Sequence, residues 1–345
     1  MPDKGNKSFV GGISFSIATV LALVSALSLR AAEPLRWVRV SDGVIEQLTA
    51  AGAKIGWPGQ TAGVAVDRST GDVYMVVCDN GLWKSTDCGK TFTRVDQGTI
   101  GGRCESAYAL QIDPQGKRLA CFMIYGGSAV SEDAGKSWTA MKTSHWDYGA
   151  VDWEATGRCF LALEHHTEGT LGFSRDGGRT WNKTDYGLVL AVGVFDEKTL
   201  IRADKAGIHR STDGGATWSN VSKIVPSGNV MVVFKGTGYL VSPKGVLVSR
   251  DKGASWSVLG SPVDAVLGPY FGNSESHLVL VTEKGLAETV DAGQTWQIVA
   301  PLAPDIGAGP KGNKYRVGVN YAFDPINNVF YASMMGKPTW KYARR

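Results

Sequence analysis

Ser174-Arg175-Asp176-Gly177-Gly178-Arg179-Thr180-Trp181 is one of six versions of a single octapeptide in this chain. The others begin at Ser85, Ser131, Ser211, Ser249 and Thr289. All keep Asp at the third position, Gly at the fifth, Thr or Ser at the seventh and Trp or Phe at the eighth. Successive aspartates lie 46, 43, 37, 38 and 40 residues apart. A period near forty with β-type segments between marks a propeller or a solenoid, whose units are each too small to bury their own apolar face. The octapeptide itself reads as a hairpin connection. Asp accepts hydrogen bonds from turn N–H groups, Gly supplies a positive φ, the hydroxyl bonds back to the loop, and the aromatic plugs the next strand. The six aspartates are thereby assigned to folding rather than to chemistry.

Four strands fit each unit. In the second, residues 107–113, a Pro-Gln-Gly turn, 119–125, 129–130 leading into the octapeptide and 137–141 leading out of it alternate as strands and turns. The tail supplies three more strands, over 317–324, 329–334 and 339–342, with no octapeptide after them. The missing fourth is found near the start: Arg36-Trp37-Val38-Arg39-Val40 resembles the strand after an octapeptide, as in Thr91-Phe92-Thr93-Arg94-Val95. The expectation is an all-β, seven-bladed β-propeller whose last blade is closed by the N-terminal strand of the mature chain. Such closure leaves no open strand edge.

The remaining composition is compatible with that fold. Among 345 residues, 20% are charged, 43% are hydrophobic, 44 are Gly and 11 are Trp, which excludes disorder and coiled coil. Lys4 and Lys7 precede an uncharged stretch over residues 9–29, and small residues follow at Ala26, Ser28 and Ala32. Residues 1–32 read as a signal peptide and 33–345 as a single propeller domain, secreted or periplasmic. An uncleaved anchor is the alternative, since ~20 apolar residues span a bilayer; the short dense core and the small residues after it favour cleavage, with no membrane span left. The formal charge of +4 falls to +2 when residues 1–32, with three cations and one acid, are removed. That balance gives no case for nucleic acid or an acidic membrane as partner. Five cysteines are an odd number. Cys78 with Cys88, or Cys104 with Cys121, can pair between neighbouring strands, and none has the spacing of a zinc site.

Chemistry in a propeller concentrates on loops that enter the innermost strands and loops that join second to third strands. Three clusters lie there: Arg103, Glu105 and Tyr108; His145-Trp146-Asp147-Tyr148 with Asp152-Trp153, opposite Glu164-His165-His166; and Lys311, Lys314, Tyr315, Arg316, Asn320 and Tyr321. Glycoside hydrolysis needs two carboxyl groups about 5–10 Å apart, one protonated and one ionised. The candidates are Glu105, Asp147, Asp152 and Glu164. Trp57, Trp146, Tyr148 and Tyr321 are candidates for stacking on sugar rings, and Arg103, Tyr108, His145, His165 and Arg316 for other ligand contacts. No cofactor is called for, and a metal site from His145, Asp147 and one of His165 or His166 is disfavoured, because adjacent strand residues point to opposite faces.

The pattern S-x-D-x-G-x-[T/S]-W resembles the Asp-box, or BNR repeat, of sialidases, xyloglucanases, sortilin-type receptors and photosystem assembly propellers. The resemblance implies that the boxes lie on the outer rim, between third and fourth strands, far from an axial ligand site. A typical sialidase is not implied, since the Arg-Ile-Pro motif is absent and only Arg103 and Arg316 are placed to act as channel arginines. Xyloglucanases set a cleft between two propellers, whereas this chain has length for one. What the resemblance implies is an exported propeller that recognises a glycan or polysaccharide at its axial face, with a glycoside-hydrolase-like reaction through paired carboxylates as one form of it. The alternative is a noncatalytic ligand-binding or assembly scaffold with a protein partner.

Overall fold

The computed structural model describes residues 35–142, 145–154, 158–309 and 318–344. The expected signal peptide at 1–32 and the basic loop with Lys311, Lys314, Tyr315 and Arg316 lie outside the described residues. Seven four-stranded antiparallel sheets make a seven-bladed β-propeller. From the axis outward, blade 1 is Thr61–Val66, Val73–Val77, Leu82–Ser85 and Thr93–Arg94; blade 2 is Leu110–Ile112, Leu119–Cys121, Ala129–Ser131 and Thr139–Ala140; blade 3 is Trp146–Val151, Phe160–Glu164, Thr170–Ser174 and Asn182–Asp185. Blades 4, 5 and 6 start with innermost strands Ala191–Val194, Val232–Phe234 and Ala265–Phe271. Blade 7 holds Asn320–Asp324, Val329–Ser333 and Trp340–Ala343, and its outermost strand is Val38–Arg39 from the other end of the chain, with Arg39 opposite Trp340.

Burial explains the strand order. Innermost strands such as Thr61–Val66 are buried throughout and read as continuous Val and Ala, while the outermost strand of blade 3, Asn182–Asp185, is exposed throughout. Side chains between blades form the core. Closure is sealed near the axis as well as at the rim: Thr61 Oγ1 lies 3.1 Å from Ser333 Oγ and 2.9 Å from Thr339 Oγ1, joining blade 1 to blade 7. Trp37 is buried, packs edge-on against Tyr321 and donates its indole N–H to Pro301 O at 3.0 Å.

The octapeptides are self-contained turns on the rim. In blade 3, Ser174 Oγ accepts from Gly178 N at 2.8 Å and donates to Asp176 Oδ1 at 2.9 Å. Asp176 accepts from Thr180 N at 2.9 Å and from Thr180 Oγ1 at 2.7 Å. Gly178 has φ +84°, and a Cβ there would meet the Met141 side chain of the preceding unit at 2.6 Å. The turn thus both reverses the chain and leans on its neighbour. Hydrogen bonds from the residue four positions on, and for Asp291 first from Thr289, hold the carboxyls of Asp133, Asp176, Asp213, Asp251 and Asp291 down to about 2.

Two features go beyond the sequence reading. A helix, Asp42–Ala50, follows the closing strand and packs Val44, Ile45 and Leu48 against Met75, Val77 and Trp83 of blade 1. All five cysteines are free, so neither pair, Cys78 with Cys88 nor Cys104 with Cys121, is bridged. Cys104 Sγ instead contacts Met123 Sδ at 3.7 Å in the core. Among the described residues no helix is long and apolar enough to cross a membrane.

Candidate functional site: the entrance face of blades 1 to 3

All innermost strands run the same way along the axis, so residues preceding them and residues following the second strands share one face, called here the entrance face. Arg103 is fixed by an antiparallel bridge to Ile124, with N···O distances of 3.2 and 3.1 Å. Glycine makes that approach feasible, since a Cβ on Gly102, at φ +70°, would stand 2.0 Å from Ile124 O. The bridge sets Arg103 beside Tyr125, whose ring lies 4.7 Å from the guanidinium carbon. The Trp57 ring also lies 4.7 Å from it. Both aromatics face solvent, Trp57 at 67% and Tyr125 at 51% exposure. A guanidinium in contact with two exposed rings forms a partly charged aromatic platform.

Beneath the platform runs a chain of ionisable groups. Arg103 Nη2 donates to Glu105 Oε1 at 3.0 Å. Glu105 Oε2 lies 3.5 Å from His165 Nδ1, which in turn lies 2.6 Å from Asp147 Oδ1. The side chains of Arg103 and Glu105 are mostly buried, and that of Asp147 is 1% exposed. Burial, and behind it the charge of Glu105, pushes the Asp147 carboxyl above its ordinary value, while the hydrogen bond from His165 pulls it back. His165 Nδ1 is thereby committed to Asp147. Asp147 Oδ2 and Arg103 Nε are buried without a partner.

A β-bulge aims Asp147 inward. Trp146 pairs with Glu164 and Tyr148 with Leu163, leaving Asp147 as the extra residue between them, and such an insertion re-aims a side chain. His165 and His166 lie just past the strand end at Glu164. His166 has φ +63°, which folds its ring back to 3.8 Å from that of His165 instead of sending it to the opposite face. Tyr125 Oη meets His166 Nε2 at 3.0 Å, and the ring of His145 stacks 6.2 Å from that of His165.

Of the residues singled out in the sequence, the fold therefore gathers Trp57, Arg103, Glu105, His145, Asp147 and His165. It puts the others elsewhere. Trp146 and Tyr148 are fully buried, Trp146 against Trp181. Asp152 is buried at the far end of the same strand, accepting from Glu154 N at 3.1 Å. Glu164 pairs with Lys183 at 2.5 Å on the outer side of the blade. Tyr108 donates across the channel to Gly268 O at 3.0 Å, and Tyr321 donates to Gly307 O at 2.8 Å. Of the four acids, Glu105 and Asp147 alone converge. Their oxygens and His165 Nδ1 lie within 4.8 Å of one another, a donor set that suits a divalent cation. Arg103 on Glu105 already supplies positive charge there.

Comparison with known proteins bears on the fold. No protein-family model and no curated protein matches the sequence. Among solved structures the chain is similar to the GH74 enzyme of Niastella koreensis, with a TM-score of 0.53 and 18% identity, covering 84% of this chain and 53% of that one. It is similar also to the extracellular domain of the hybrid two-component system BT4673 of B. thetaiotaomicron, with a TM-score of 0.52 and 9% identity over 83% of this chain and 38% of that one. YCF48 of Cyanidioschyzon merolae follows at a TM-score of 0.47 and 12% identity, covering 89% of this chain and 98% of that one. The chain thus spans about half the length of the GH74 enzyme it matches.

Sequence reasoning missed Tyr125 as a site residue and weighed His166 only within the second cluster and as an alternative metal ligand. Tyr125 stands in a Tyr-Gly-Gly run that reads as turn punctuation, and its exposure follows only once Arg103 bridges to Ile124. The signal for His166 is its neighbour: two histidines beyond a strand end need not obey strand alternation.

Proposed function

We propose that this protein is an exported propeller whose entrance face recognises a glycan. One observation carries the reading: Trp57 and Tyr125, large aromatic rings left in solvent, both contact the Arg103 guanidinium. Exposed rings offer C–H faces of sugars an apolar surface, and Arg103 with His166 offers hydrogen bonds at its edge. The likeness to a GH74 enzyme and the Asp-box pattern support a glycan as ligand, by analogy of fold. The export-type sequence over residues 1–32 supports action outside the cytoplasm.

A second reading, hydrolysis, is favoured by the convergence of Glu105 and Asp147. Against it, Asp147 is sealed from solvent, so it can tune Glu105 and His165 but cannot touch a sugar. Binding without turnover is the form the geometry supports better. The test is a panel of polysaccharides, with binding followed by calorimetry and products by mass. Binding without products is expected, with Trp57→Ala or Tyr125→Ala weakening it roughly five- to thirtyfold, the size of a contact of about 1–2 kcal/mol. Product release abolished by Glu105→Gln would replace this reading with hydrolysis, and no binding to any glycan would overturn both.

A further inference from the structure

At the other end of the axis, a cavity of about 130 Å³ opens among the later residues of the innermost strands. Val66, Ile112, Val151, Val233, Phe271 and Phe323 are among the side chains that line it. Two lining residues are charged, Arg68 and Asp113. Asp113 is neutralised by Arg118, whose Nε lies 2.7 Å from Asp113 Oδ2. Arg68 is not neutralised. Its Nη1 donates to Pro114 O at 3.2 Å and its Nη2 to Gly272 O, both backbone carbonyls. Its guanidinium carbon lies 4.7 Å over the Phe234 ring, and its Nε is buried with no acceptor. Among the described residues no carboxylate pairs with it. Burial draws this guanidinium below its ordinary value, the mark of a charge short of solvation.

An apolar chamber bordered by one cation without a counter-charge has a complementary ligand. We infer that this axial cavity binds a small monocarboxylate with an aromatic or branched apolar body, its carboxylate meeting Arg68. The size is of the right order: an apolar cavity of ~150 Å³ takes benzene, so one ring occupies this chamber of about 130 Å³ while its carboxylate lies at the Arg68 border. The site is separate from the platform of Trp57 and Tyr125. Tyr108, which lines the cavity, bridges the channel between them through its bond to Gly268 O.

Calorimetric titration with benzoate, and with uncharged benzamide of the same shape, tests the inference on the full chain. Saturable benzoate binding is expected, with benzamide at least about tenfold weaker, a difference of 1.4 kcal/mol. Arg68→Gln should lose the preference for the acid, and Trp57→Ala should leave benzoate binding unchanged. Because Arg68 also ties two backbone carbonyls, each variant is checked by circular dichroism. Val233→Phe, which keeps Arg68 and fills the chamber, should abolish uptake of both compounds. Equal affinity for benzoate and benzamide, benzoate binding that survives Val233→Phe, or no saturable binding at all would overturn the proposal.

Discussion

The rim turns and the entrance face use the same residue types to opposite ends. In each octapeptide the aspartate is saturated by its own turn: Asp213 accepts from Thr217 N at 2.9 Å, from Thr217 Oγ1 at 2.6 Å and from Ser211 Oγ at 2.8 Å. Asp147, wholly buried, has one oxygen committed to His165 and the other to nothing. Folded proteins satisfy nearly all buried polar groups, and exceptions gather where function has a claim on them. Here the repeated aspartates stabilise, and the unrepeated one is held at a cost.

The largest effect should come from breaking the ring that carries both regions. Trp37→Ala removes a buried indole from the seam between the first strand and Tyr321 and Tyr342. A loss of about 3–5 kcal/mol is expected, read as a fall in urea midpoint. A change under about 1 kcal/mol would mean that the first strand merely decorates blade 7.

A smaller loss should follow from breaking one rim turn. Ser174→Ala leaves the buried N–H of Gly178 without its acceptor, costing about 1–3 kcal/mol, while glycan binding stays unchanged. The pH dependence has a definite sign. The rim carboxyls are lowered in the fold to about 2, so their contribution is complete above the unfolded carboxylate value near 4 and vanishes as pH falls toward 2. Thermal melts of the wild type should therefore fall steeply across that window. A flat profile would remove the rim turns from the stability account.

The contrast also governs what a reader of the sequence can see. The octapeptides repeat, each closes on itself within eight residues, and local chemistry suffices to place them. The closing strand was legible for the same reason, since Arg36 to Val40 copies the strand after a box. The helix at Asp42–Ala50 copies nothing; its burial depends on an apolar patch of Met75 and Trp83 that exists only after blade 1 has formed. The entrance face is legible by half. Arg103, Glu105 and Asp147 stood on the right loops, but the bulge at Asp147 and the backward turn at His166 are breaks in the strand period, which alternation alone does not reveal. Asp152 follows directly on the strand Trp146–Val151 that carries Asp147 and emerges at the opposite end of the axis.

The smallest effect carries the sharpest sign. Asp147→Asn keeps an oxygen to accept the His165 Nδ1–H and removes the charge. Because the Asp147 carboxyl is raised in the fold by desolvation, its protonated form is favoured there. The wild type then loses stability as pH climbs from the unfolded carboxylate value through the raised one. This runs opposite to the rim aspartates, and the variant should lack it. Its melting temperature should match the wild type at pH 4 and exceed it at pH 7, while its affinity for the glycan falls because His165 and Glu105 lose the charge that orders them. A variant that melts lower than the wild type at pH 7 would make Asp147 a stabilising member of the fold, no different in kind from the six on the rim.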